Sequence, residues 1–173
     1  VVAARNNVKF SLPITIPRSV GHSPSFYNYK PSARRGFLFD DVTPLYAFGY
    51  GLSYTTFEIS NVRLERKTIA ADASTRMLCD VRNTGQRAGA EVVQMYIRDK
   101  VSSVTRPVKE LKGFRKVFLA PGETATVALD ITPDRLAFWN VDMQYVVEPG
   151  EFEIMVGASS RDCDLTKLTL KVK

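Results

Sequence analysis

Side chains able to do chemistry are few and scattered in this 173-residue sequence. His22 is the single histidine, so a Ser-His-Asp or Cys-His arrangement would have to use it. It lies in Pro17-Arg18-Ser19-Val20-Gly21-His22-Ser23-Pro24, a run of turn formers in which a surface or interface residue is expected rather than a held base. Cys79 and Cys163 neither repeat nor stand at metal-ligand spacing from a histidine, and no zinc site is expected. Cys79 alternates with Met77 and Val81 and reads as a buried strand thiol, while a Cys79–Cys163 disulfide stays open because spacing does not decide it. Asp40 and Asp41 are the adjacent acidic pair ahead of the strands, but neighbours in extended chain point to opposite sides and cannot face one substrate bond together. Asp130, Asp134 and Asp142 flank a short helical turn and read as caps, and no glycine loop opens a helix to cradle phosphate. No catalytic, metal-binding or cofactor-binding residue is therefore assigned.

Net charge is +6, from 24 Lys and Arg against 18 Asp and Glu, with 45% of residues hydrophobic. Lys109, Lys112, Arg115 and Lys116 make the densest basic patch, interleaved with Leu111, Phe114 and Val117. This reads as a solvated strand face backed by an apolar inner face. No recognition helix or stacking platform accompanies the charge, so no nucleic-acid partner is expected. No apolar run approaches the ~20 residues that cross a membrane, and no membrane partner is expected. The sequence opens on Val1, not Met, and its first residues are too short for a signal segment, so a piece of a longer chain or a processed one is expected.

The elements that would have to position any site are strands. A short edge strand is expected within 8–16, limited by Pro13. From residue 54 a two-residue period takes over: Phe57 to Leu64 with an irregularity near Ser60-Asn61, Thr75 to Val81, Val93 to Ile97, Leu111 to Phe118, Ala125 to Ile131, Tyr145 to Val147, Phe152 to Val156, and Leu168 to Val172. Thr132-Pro133-Asp134-Arg135-Leu136 reads as one helical turn capped by Thr132. Asn83-Thr84-Gly85, Pro121-Gly122 and Pro149-Gly150 mark turns. The fold class is all-β, an immunoglobulin/fibronectin-type-III-like antiparallel β-sandwich with an irregular N-terminal arm. Residues 54–173 are expected to close on one core without that arm.

Between arm and strands lies Pro44-Leu45-Tyr46-Ala47-Phe48-Gly49-Tyr50-Gly51-Leu52-Ser53-Tyr54-Thr55-Thr56-Phe57, where aromatics crowd round two glycines. Such glycines signal irregular backbone or the close approach of another segment. The arm also carries Phe26, Tyr27, Tyr29, Phe37 and Phe39, more rings than an irregular segment can bury in itself. It should lie along another surface.

That stretch, with Lys30-Pro31-Ser32-Ala33-Arg34-Arg35-Gly36, resembles the C-terminal part of family 3 glycoside hydrolases, the β-glucosidase and β-xylosidase group. The resemblance runs through Leu12-Pro13-Ile14-Thr15-Ile16-Pro17, Gly89-Ala90-Glu91-Val92-Val93-Gln94-Met95-Tyr96, Arg106-Pro107-Val108-Lys109-Glu110-Leu111-Lys112-Gly113-Phe114 and Pro149-Gly150-Glu151-Phe152, over roughly 11–160. It implies that residues 1–43 are an arm from the tail of a preceding α/β sandwich domain, and that 44–173 form the fibronectin-type-III-like domain. It further implies a catalytic barrel and α/β domain in the parent as partners, a terminal β-linked sugar as the parent's substrate, and a periplasmic or secreted setting, with homo-oligomerisation left open. The family's retaining mechanism uses two carboxyl groups about 5 Å apart. Neither lies in a matching motif here, so no catalytic residue is carried over. Tyr27, Arg34, Arg35, Phe39, Tyr46, Phe48 and Tyr50 are the expected interdomain contacts, and no cofactor is implied. A carbohydrate-binding module and a free-standing interaction domain are the alternatives.

Overall fold

In Thr75–Asn83 (β5) the buried residues are Thr75, Met77, Cys79, Val81 and Asn83, alternate positions that place every second side chain on one face. The same alternation recurs in the long strands and fixes which face of each sheet turns inward. The computed structural model describes residues 10–31, 41 and 43–173. In chain order the remaining strands are Phe10–Ser11 (β1), Gly51–Leu52 (β2), Phe57–Leu64 (β3), Thr68–Ile69 (β4), Gly89–Asp99 (β6), Glu110–Leu119 (β7), Thr124–Ile131 (β8), Phe138–Trp139 (β9), Tyr145–Val146 (β10), Gly150–Gly157 (β11) and Leu165–Val172 (β12). A four-residue helix, Pro133–Leu136 (α1), follows β8.

A five-stranded sheet, β4-β12-β11-β6-β7, faces a three-stranded sheet, β3-β5-β8. All pairs in the two sheets are antiparallel save β4 with β12. Met77, Cys79 and Val81 from one sheet meet Val93, Met95, Ile97, Phe152, Ile154 and Val156 from the other in a single core. Burying each such side chain stabilises the fold by ~1.5–3 kcal/mol, and this non-directional term is why alternation alone sets the strand faces.

The irregularity expected at Ser60-Asn61 is present: the β3–β5 register shifts between Ser60 and Arg63, and Asn61 takes a positive φ of 51°. Its Nδ2 donates to Asp80 Oδ2 at 2.8 Å, a local bond of the kind that lets asparagine hold that conformation. The helical turn is also present, but Thr132 makes no side-chain capping bond; Pro133 alone marks its start. Within 8–16 the described strand is only Phe10–Ser11, since Pro13 and Pro17 cannot donate to a ladder. Ile16 instead makes an isolated bridge to Tyr46, so arm and hinge pair with each other across the expected 43/44 boundary.

Two further expectations fail on one strand. Lys109 is not solvated but 5% exposed, and Phe114 does not face inward but is 66% exposed. Phe114 stands three residues from core-facing Val117, so the two-residue period itself turns it outward, while a register shift in the β6–β7 ladder between Met95 and Tyr96 skips Lys112 and brings Leu111 to the outer face opposite Tyr96. Val117 keeps to the core, Leu111 packs on Tyr96, and Phe114 is left on the outer face.

Candidate interdomain surface

β6 is apolar on both faces, and its outer face organises the candidate site. Met95 and Ile97 point into the core, whereas Tyr96 lies between them on the outside and is 0% exposed. What covers it is the arm and hinge. Tyr27 stacks on Phe48 with centroids 4.4 Å apart and meets Tyr96 edge-on at 5.6 Å. Met155, Leu165 and Leu111 complete this second cluster. Its contacts are apolar and ring-edge interactions, worth ~0.5–1.5 kcal/mol per aromatic pair beyond area burial.

A polar clasp pins the hinge beside these rings. Gln94 Nε2 donates to Gly49 O at 3.3 Å and to Ala158 O at 2.8 Å, and its Oε1 accepts from the Tyr96 hydroxyl. Gly49 has φ +78°, and a Cβ there would stand 2.2 Å from Gln94 Oε1, so only glycine fits. Ser160 N–H donates to Phe48 O at 2.9 Å. Burial pushes the Tyr96 hydroxyl far above its usual range, so it stays a donor.

Next to the clasp opens a cleft of about 520 Å³ lined by Tyr27, Tyr29, Tyr46, Tyr50, Lys109 and Arg161, among others. Lys109 Nζ donates to Ser160 O at 2.9 Å and Asp162 Oδ1 at 2.8 Å, which accounts for its burial. Tyr46 and Tyr50 stack at 5.5 Å, and Arg161 lies 5.7 Å over Tyr50 while its guanidinium is held by Asp164 at 2.7 Å. Asp164 stays below the usual carboxylate range: burial pushes it up, but hydrogen bonds from Arg161 and Ser159 outweigh that. Arg18 is in turn paired with Asp41 at 3.3 Å. Among the described lining residues Asp162 is the one carboxylate. Such a cleft offers ring faces and hydrogen-bond partners to an occupant, not a two-carboxylate reaction.

Of the residues singled out from sequence, the structure brings Tyr27 and Phe48 together on Tyr96, and Tyr46 and Tyr50 together at the cleft wall. Arg34, Arg35 and Phe39 lie outside the described residues, as does Asp40. His22 is in a short 3₁₀ turn and Cys79 is buried, with its thiol pushed up to about 11 by burial. Cys163 is a free, exposed thiol, which closes the question of a disulfide. Gln94, Tyr96 and Lys109 were not read from sequence as site residues. The available signal was the unbroken Val92-Val93-Gln94-Met95-Tyr96-Ile97, a strand too apolar for one wet face.

Residues 91–160 match the family of fibronectin type III-like domains. A periplasmic β-glucosidase of Salmonella typhimurium is 45% identical over 165 residues, covering 89% of this chain and 22% of the relative. A β-xylosidase of Formosa agariphila is 46% identical over 94% of this chain and 23% of its own length. Among solved structures, a β-glucosidase from Erythrobacter marinus superposes with a TM-score of 0.89 at 44% identity, over 94% of this chain and 22% of that one. The sandwich and its sequence thus define a fibronectin type III-like domain. More particularly, the chain belongs with the modules of that kind found in family 3 glycoside hydrolases. It spans about a fifth of the length of the curated relatives it matches.

Proposed function

We propose that the chain is the non-catalytic C-terminal module of a larger enzyme that removes terminal β-linked glucose or xylose by the retaining two-carboxylate route. In this reading it packs on the parent's barrel and α/β domains through the arm, the hinge and the cleft wall, with Tyr46 and Tyr50 available to the partner. The observation that carries it is the pairing of extents: 89% of this chain aligns at 45% identity with only 22% of a β-glucosidase. The remaining length of such an enzyme is where two carboxyl groups about 5 Å apart would sit. Arg34, Arg35 and Phe39 belong to the same proposed contact.

Assays of the purified chain and of the full-length polypeptide that contains it, on aryl β-glucosides and β-xylosides, test this. The chain alone is expected to give no turnover and the full-length protein to be active. Turnover by the chain alone, abolished by Asp40→Asn, overturns it. The stacked Tyr46–Tyr50 pair at the cleft favours a second reading, a sugar-binding module. Calorimetric titration of the isolated chain with glucose and xylose oligomers distinguishes them: saturable binding lost on Tyr46→Ala supports the second.

A further inference from the structure

We infer that the outer face of β7, carrying Phe114 and Phe118, is a docking surface for another domain of the same parent polypeptide, one presenting apolar pockets with a carboxylate between them. This rests on the reading proposed above and adds a surface outside the arm and hinge. Phe114 and Phe118 are 66% and 62% exposed, although each is large enough to anchor a core. Their cross-strand partners are Gln94 and Ala90, with Lys116 between them opposite Val92. Gln94 is the residue that clasps Gly49, so the two phenyl rings stand on the sheet face that the hinge already covers in part. Along one strand they are spaced four residues, roughly 13 Å. Leu52, 77% exposed, and Phe10, 69% exposed, pair in the small β1–β2 sheet of the arm and hinge.

The occupant follows from three observations. The curated relatives are four to five times longer than the stretch aligned here, since that stretch is 22% or 23% of them, so a parent supplies the covering polypeptide. The rings continue a face on which chain from the arm and hinge is already seated. Exposed Lys116 between them, on the same face, calls for an acidic side chain in the partner. Isolated apolar residues on a surface need no explanation, but rings at this spacing beside a packed segment do.

The test is the Phe114→Ser/Phe118→Ser double variant, made both in the 173-residue chain and in the full-length polypeptide. The isolated chain is expected to keep its melting temperature to within about 1 °C, because both rings are wet there. The full-length protein is expected to lose roughly 5 °C and to be cut faster by protease near residue 44. An unchanged full-length protein overturns the inference. An equal loss in both proteins also overturns it, since the rings would then support the module's own fold. A wild-type isolated chain that sediments as a dimer, with the variant monomeric, overturns it in favour of a second copy. Glycosidase activity of the wild-type full-length protein is read separately: its absence sinks the proposed function while the differential melting still supports the docking surface.

Discussion

At the scale of single residues, Gln94 carries more than its side-chain size suggests. One carboxamide meets the hinge backbone at Gly49, the turn after β11 at Ala158 and the Tyr96 hydroxyl. Gln94→Ala would leave two buried polar groups and one half-buried carbonyl without their partner, and buried groups cost about 1–3 kcal/mol each when unsatisfied. Partial rescue by water brings the expected loss to about 2–4 kcal/mol, measured by urea unfolding. A loss below 1 kcal/mol would show that the clasp does not hold the hinge. Cys79 gives a pH prediction. Its thiol, pushed by burial from 9.0 to about 11, stays neutral in the fold while the unfolded chain ionises. The unfolded state then binds fewer protons, so stability is full below pH 9 and falls as pH rises from 9 to 11, by up to about 2–3 kcal/mol. Tyrosines and lysines titrate nearby, so the comparison is with Cys79→Ala, whose stability should decline less steeply over that range.

At the scale of elements, the arm and the sandwich are not equal partners. The main core draws on β3 to β8, α1, β11 and β12 and includes no residue of the arm, whereas the cluster on the outer face needs Tyr27 and Phe48. Removing residues 1–53 should therefore leave a chain that still unfolds cooperatively, as the strand alternation implies, but less stably. Tyr96, Met155 and Leu165 would become wet, and at ~1.5–3 kcal/mol for each large side chain the loss is of several kcal/mol. Far-UV circular dichroism during thermal melting reads the transition, and an apolar dye reads the uncovered face. An unchanged melting temperature would mean that the arm is only draped on the sheet. The hairpin-like pairing of arm and hinge, through Phe10 with Leu52 and Ile16 with Tyr46, explains why the arm is held although its own strand is two residues long.

At the scale of the whole molecule, the structure is a β-sandwich with one face half covered by its own chain and half carrying exposed rings. That asymmetry is what a module within a longer polypeptide would show, and the comparison of melting in the isolated and full-length proteins addresses it directly. The sequence by itself determined the sandwich. Alternation at Met77, Cys79, Val81 and at Val93, Met95, Ile97 specifies which side chains turn inward, because burial is proportional to area and needs no knowledge of the partner. It also located the glycine-broken aromatic stretch and the turn of α1, whose signals are local. Tertiary structure alone decided where the arm lies, that Tyr27 and Phe48 close over Tyr96, that Lys109 is buried under Ser160 and Asp162, and that Leu111 turns outward onto Tyr96. The physical reason is the same in each case. A one-residue register shift in the β6–β7 ladder, and hydrogen bonds joining residues 45 to 64 positions apart, depend on contacts between strands that no local pattern encodes.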